Sequence, residues 1–175
     1  MKQIVVFFTL LLLAFGGNKA LAQDKKDWGN IYVEAGISYS VGSHTGEGIF
    51  ENLSVGYRIP ESFAVVYLEW GGSDKETRLG YPMLHTGMVS FGYDVLRFKN
   101  ASFAIEPRLG VGFATGGFGA QERVYRFAAE AGLMLRYEIN WCYFGFHGKF
   151  VGMSSEWGKT SMYEFMTGFT WGIRF

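Results

Sequence analysis

Three histidines, one cysteine and a scatter of serines and carboxylates are the residues of this chain that could do chemistry. Histidine beside serine and an acid is the arrangement of nucleophilic acyl transfer, where a base within hydrogen-bond reach activates a hydroxyl. His44 and His85, with Ser40, Ser154, Ser155 and Glu156, supply such parts, but no recognisable motif spaces them. The serines before Glu156 and Trp157 read more simply as a polar surface connection. His44, His85, His147 and Cys142 show no metal-ligand spacing, so neither a metal nor another cofactor is expected. A single cysteine also excludes an internal disulfide framework.

The larger chemical inventory is charge. Glu34, Arg58, Glu69, Asp94, Glu106, Arg108, Arg126, Glu130, Arg136, Glu138, Lys149, Glu164 and Arg174, with His147, share one parity within runs whose other positions are apolar. Seven acids face six permanent bases in that set. Gathered in one narrow interior, such a set pairs and blocks the space, because buried charges without partners are costly. The alternative is a narrow ion or proton path. Glu106 with Arg108, and Arg126 with Glu130, are the expected pairs, since they lie on neighbouring strands. His147, beside Lys149, is expected to meet Glu130 or Glu164.

The elements that must position these charges are strands. Residues 162–175 alternate Tyr163, Phe165, Thr167, Phe169, Trp171, Ile173 and Phe175 with Met162, Glu164, Met166, Gly168, Thr170, Gly172 and Arg174. A period of two over this length is a strand with one apolar and one polar face. The same pattern predicts strands at 30–41, 50–59, 63–71, 84–95, 101–114, 123–138 and 142–153. Strand 63–71 is apolar on both faces, which leaves its facing open. Pro107 falls inside a strand and cannot donate to the ladder, so a bulge or local gap is expected there. The connections 42–49, 72–83, 115–122 and 154–161 are the longer ones, and 60–62, 96–100 and 139–141 are tight turns.

Eight strands of roughly ten residues suit a bilayer crossed at barrel tilt. Their apolar faces carry aromatics toward both ends: Tyr93, Tyr137, Phe144, Trp171 and Phe175 at one rim, Trp70 and Tyr163 at the other. Two aromatic girdles are expected where rings meet lipid headgroups. The predicted fold is therefore all-β, an eight-stranded antiparallel up-and-down transmembrane barrel. A soluble barrel holding a ligand would need the opposite polarity, apolar inside and polar outside. A barrel of this size is just wide enough for side chains to fill it.

Residues 1–22 stand apart. Lys2, a short apolar run from Ile4 to Phe15, and Ala20-Leu21-Ala22 form a secretory signal peptide with cleavage expected near Ala22, leaving 23–175 as one barrel domain. Sixteen basic and sixteen acidic residues give no polybasic signal for nucleic acid.

With its leader, eight two-faced strands, unequal connections and terminal Phe175, the chain resembles the small eight-stranded outer-membrane β-barrel family of Gram-negative bacteria. The resemblance implies outer-membrane localisation with both termini periplasmic. It also implies contact with outer-membrane lipid and lipopolysaccharide, and reading of the last strand by the barrel-assembly machinery. Phe175, Ile173, Trp171 and Phe169 fit that reading, although Thr170 stands where such a signal often has glycine. The expected function is non-enzymatic, structural or surface-interacting, in a monomer with a side-chain-filled lumen. A lipid A-modifying acyltransferase or deacylase, or a narrow channel, are the alternatives the class allows.

Overall fold

The computed structural model describes residues 29–42, 46–60, 62–73, 84–97, 103–117, 123–139, 141–154 and 162–175. The expected signal peptide, its expected cleavage point near Ala22, His44, Ser155 and Glu156 lie outside these described residues. Among the described residues nine strands form: β1 (Ile31–Gly42), β2 (Gly46–Arg58), β3 (Ala64–Gly72), β4 (Leu84–Tyr93), β5 (Leu96–Arg97), β6 (Phe103–Gly117), β7 (Arg123–Ile139), β8 (Cys142–Met153) and β9 (Met162–Arg174). Eight are long. The two-residue β5 belongs to the link between β4 and β6 and pairs only with β6.

Each long strand is antiparallel to the next, β4 pairs with β6, and β9 returns to β1, so the sheet closes without an edge. Closure matters because an unpaired edge in lipid would leave backbone groups without partners. Beyond the β1–β9 ladder the seam is completed by Ile31 N–H to Phe175 O at 3.2 Å and Phe175 N–H to Ile31 O at 2.9 Å. The start of β1 and the end of β9 therefore share one rim, here the terminal rim; the opposite one is the distal rim.

The register fixes the shape. Partners followed from Tyr32 through Gly56, Tyr67, Ser90, Gly110, Glu130, Val151 and Glu164 arrive at Gly42, ten residues up the starting strand. Strand number and stagger together set the tilt, about 40° for a barrel of this kind. The interior is then only as wide as the side chains that fill it.

Facing follows the alternation. Tyr32, Glu34, Ser38 and Ser40 of β1 are buried inside, while Ile31, Ile37, Tyr39 and Val41 are exposed outside. In β3, Val65, Tyr67 and Glu69 point inward and Val66, Leu68 and Trp70 outward, which settles the strand apolar on both faces. Trp70 and Tyr163 stand outside toward the distal rim; Tyr93, Tyr137, Phe144, Trp171 and Phe175 stand outside toward the terminal rim.

Pro107 sits in an unbroken register with β7, opposite Leu133. Its other side is the gap. Pairing with β4 ends at Gly92 and Arg108, and pairing with β5 resumes at Ile105, shifted by one residue. The Ile105 carbonyl accepts from Val95 N–H on that side, and backbone groups alternate sides, so the proline nitrogen faces the gap where no donor is needed.

The connections differ from expectation. The segment 42–49 is not a long loop: β2 starts at Gly46, Gly42 pairs with Gly46, and only 43–45 link them. Similarly β6 runs on to Gly117, while the link after β4 spans 94–102. Glycine ends a strand only where partners run out, and here neighbouring backbone continues to supply them. Long and short connections therefore do not alternate as the sequence suggested.

Candidate functional site

The lumen has two layers with different chemistry. Toward the terminal rim lies a continuous ion-pair network. Arg58 reaches Asp94 at 2.7 Å, and Asp94 meets Arg136 at 2.9 Å. Arg136 bonds Glu106 at 2.6 Å and Glu138 at 3.0 Å. Glu106 meets Arg108 at 2.5 Å, and Arg108 makes a two-pronged contact with Glu34 at 2.7 and 2.8 Å. Lys149 joins Glu69 at 3.3 Å to Glu130 at 3.1 Å. Planar guanidinium forks suit this task, since each can engage two carboxylates at once.

Tyrosines complete the satisfaction of these charges. Tyr143 donates to Glu34 at 2.5 Å, Tyr67 to Glu106 at 3.2 Å, and Arg58 Nε to the Tyr32 hydroxyl at 2.7 Å. Arg108 also lies over the Tyr67 ring, 3.9 Å from its centre. Tyr32 packs edge-on against Tyr67 and Tyr143. Arg174, at the end of β9, donates to the Gly29 carbonyl at 2.9 Å and sits near the Tyr32 ring.

Above this network the lumen is mostly apolar, with Glu164, Ser40 and Arg126 set among the apolar side chains. Phe50, Leu84, Met88, Val151, Met153, Met162 and Met166, with Ala114 and Ala128, form one buried cluster toward the distal rim. Charge on the inward parity does not point to these residues, but their own parity does, since each falls on the inward face.

Between the layers lies a cavity of about 20 Å³, room for about one water. Asn52, Glu69, Arg108, Glu130, His147, Lys149 and Thr170 line it. Asn52 Oδ1 and Glu69 Oε1, both buried, make no hydrogen bond there.

Two expected contacts form differently. His147 meets neither Glu130 nor Glu164; its ring nitrogens contact Ser38 Oγ at 2.7 Å and Thr170 Oγ1 at 2.9 Å. The register puts His147 opposite Gly168, whose other partner is Ser38, so the imidazole crosses a residue without a side chain. Arg126 extends instead toward the distal end, where it donates to the Ser154 carbonyl at 2.9 Å, while Glu130 accepts from Ser90 and Lys149. Glu164 accepts from Ser40.

The arrangement can hold charge but has little room to react. Ser38 and His147 have the separation of a nucleophile and its base, yet both are buried and the neighbouring space admits no organic substrate. His85 lies on the outer wall, and Ser40 lies inside on β1, so the wall separates these two candidate parts.

A closed, tilted, eight-stranded meander with an apolar wall and a filled lumen has the fold of the small eight-stranded outer-membrane β-barrels. Among solved structures it is similar to Neisserial surface protein A, at 12% identity and a TM-score of 0.67 over 86% of this chain and 100% of that one. It is also similar to the N-terminal barrel domain of Pseudomonas aeruginosa OprF, at 14% identity and 0.56 over 85% and 100% of the two chains. A third is the outer membrane enzyme PagL, at 13% and 0.51 over 82% and 99%. At these identities the likeness establishes the fold alone. No protein-family model matches the chain, and no curated protein matches it.

Proposed function

We propose that this chain is a non-enzymatic outer-membrane barrel whose lumen is plugged by its own side chains and whose role is structural or surface-interacting. One observation carries the reading: among the described residues an ion-pair layer and an apolar layer occupy the interior in series, and the cavity between them has room for about one water. An ion crossing the barrel would have to break paired charges and then pass a packed, methionine-rich layer. The outer wall, apolar over most of its long strands, supports insertion in lipid, with lipopolysaccharide as the contact in an outer leaflet. Export through the leader at 1–22, assembly through the aromatic terminal strand and periplasmic termini belong to the same proposal. So does a monomeric state, since the closed sheet offers no edge to a second copy.

The competing reading is a lipid A-modifying enzyme, which the fold permits, as the likeness to an outer membrane enzyme illustrates. Mass spectrometry of lipid A from cells with and without the gene decides between them, together with growth on bile salts or detergent. Unchanged acylation with raised detergent sensitivity is the expected result. An acyl chain gained or lost with the gene would overturn the non-enzymatic assignment.

A further inference from the structure

The outer wall is not uniform. Along a strand tilted by about 40°, each residue climbs roughly 2.5 Å of barrel height. Outward apolar residues of β1 run from Ile31 to Val41, about 25 Å, the height of an ordinary lipid-facing band. Those of β6, from Phe103 to Phe113, match it, and those of β7 exceed it; β9 reaches from Tyr163 to Phe175 with one uncharged polar place, Thr167, and β8 from Phe144 to Phe150 with one glycine, Gly148.

The β2–β4 wall falls short. On β2 the unbroken apolar run is Ile59 to Leu53, about 15 Å, and the next outward residue is Glu51. Glu47 follows two positions beyond Ile49. On β3 the run ends at Trp70, and Gly72 takes the next outward place. On β4 it ends at Val89, followed by Gly87 and His85. Among the described outward-facing side chains of the strands, Glu47 and Glu51 alone carry a formal charge.

These residues adjoin one another. Glu51 pairs with Gly72, and Gly72 pairs with His85. The His85 ring leans over the glycine, its Nδ1 lying 2.6 Å from where a β-carbon would stand. On the other flank the Tyr39 hydroxyl donates to Glu47. A whole-barrel tilt would shift an apolar band up or down without shortening it. Here the terminal-rim ends of these strands remain apolar, at Ile59, Phe63 and Val95, and only the distal portion is polar.

We infer that the bilayer is locally thin along the β2–β4 wall, with headgroups and water of the distal leaflet descending to Glu51 and His85. The inference rests on the membrane-spanning reading above. Its physical ground is that a short apolar stretch is met by thinning of the surrounding lipid, whereas an ionised carboxylate left in hydrocarbon is costly. The carboxylates of Glu47 and Glu51 would favour headgroups that bring positive charge, an amine or a divalent ion held on phosphate.

Single cysteines test this in a Cys142→Ser background. Glu51→Cys and Gly87→Cys probe the thin wall; Phe165→Cys probes the opposite one. Phe165 pairs with Val41, four residues beyond the β1 partner of Glu51, and so lies nearer the distal rim than Glu51 or Gly87 despite the stagger. Each barrel is placed in phosphatidylcholine nanodiscs and exposed to a water-soluble, membrane-impermeant maleimide. We expect complete labelling of E51C and G87C and loss of labelling for F165C, with all three labelling equally once unfolded in urea. G87C keeps the Glu51 charge, and a β-carbon at Gly87 meets nothing within 4 Å, so it guards against E51C changing the boundary it reports. Protection at both wall positions, with F165C also protected, overturns the thinning and leaves the membrane reading intact. Labelling of all three in nanodiscs overturns the membrane reading itself.

Discussion

Replacing Arg108 with methionine should unfold this barrel more easily than any single change on its outer wall. The Arg108 guanidinium bonds Glu106 at 2.5 Å and Glu34 at 2.7 and 2.8 Å, all three side chains being nearly or wholly buried. Methionine keeps most of the volume and removes the charge, so two interior carboxylates lose their shared cation. Neither is left bare. Glu34 retains Ser54 at 2.8 Å and Tyr143 at 2.5 Å; Glu106 retains Arg136 at 2.6 Å and Tyr67 at 3.2 Å. Taking one partner from a buried pair costs about 3–5 kcal/mol. The remaining bonds place this case near the middle, about 4 kcal/mol, or roughly a thousandfold in the unfolding equilibrium. Urea unfolding of the lipid-reconstituted barrel, followed by tryptophan fluorescence, measures it directly. The pairing account makes a second demand. Adding Glu34→Gln to Arg108→Met should recover about 1–2 kcal/mol, because a neutral amide tolerates the lost cation better than a carboxylate does. A wild-type midpoint for Arg108→Met, or no recovery in the double variant, would refute the reasoning.

Other expectations follow from single contacts. His147→Leu should cost about 1–3 kcal/mol by leaving Ser38 and Thr170 without their shared partner, and lipid A should be unaltered; a lipid change would give the imidazole a chemical role. Pro107→Ala should shift stability by less than about 1 kcal/mol, since its nitrogen faces the gap between β4 and β5; a loss above twice that in urea would contradict the placement. Gly168→Val should sharply lower refolding yield, because a side chain there would meet the Ile37 carbonyl and the Ser38 backbone across the β1–β9 seam; a normal folded band on semi-native gels would show the seam to be looser. Removing Phe175 should impair assembly in cells while leaving refolding into detergent near normal, and equal losses in both would make the residue structural only.

Much of this architecture can be read from residue parity. Alternation alone places Glu34, Glu106, Arg108 and Arg136 in one lumen and Phe144, Phe169 and Trp171 on the wall, because a strand has only two faces. Parity cannot say which charge meets which. Glu34 and Arg108 lie 74 positions apart on strands that are not neighbours, and their contact depends on long side chains crossing the lumen. The same limit applies to Arg126, whose reach is set by a carbonyl at Ser154. Strand ends were also illegible at Gly46 and Gly48, where composition suggests a loop but an adjacent strand still offers hydrogen bonds. The methionine layer is hidden for a different reason: inward parity suggests polarity, whereas a narrow lumen can as well be closed by packed thioethers and a phenylalanine.

Single-channel recording in planar bilayers tests the central claim most directly, that the barrel fills its own lumen. The intact protein should insert without conductance steps above baseline across a range of voltages. Steady, reproducible steps from folded wild-type protein would show that the ion-pair and methionine layers do not close the pore.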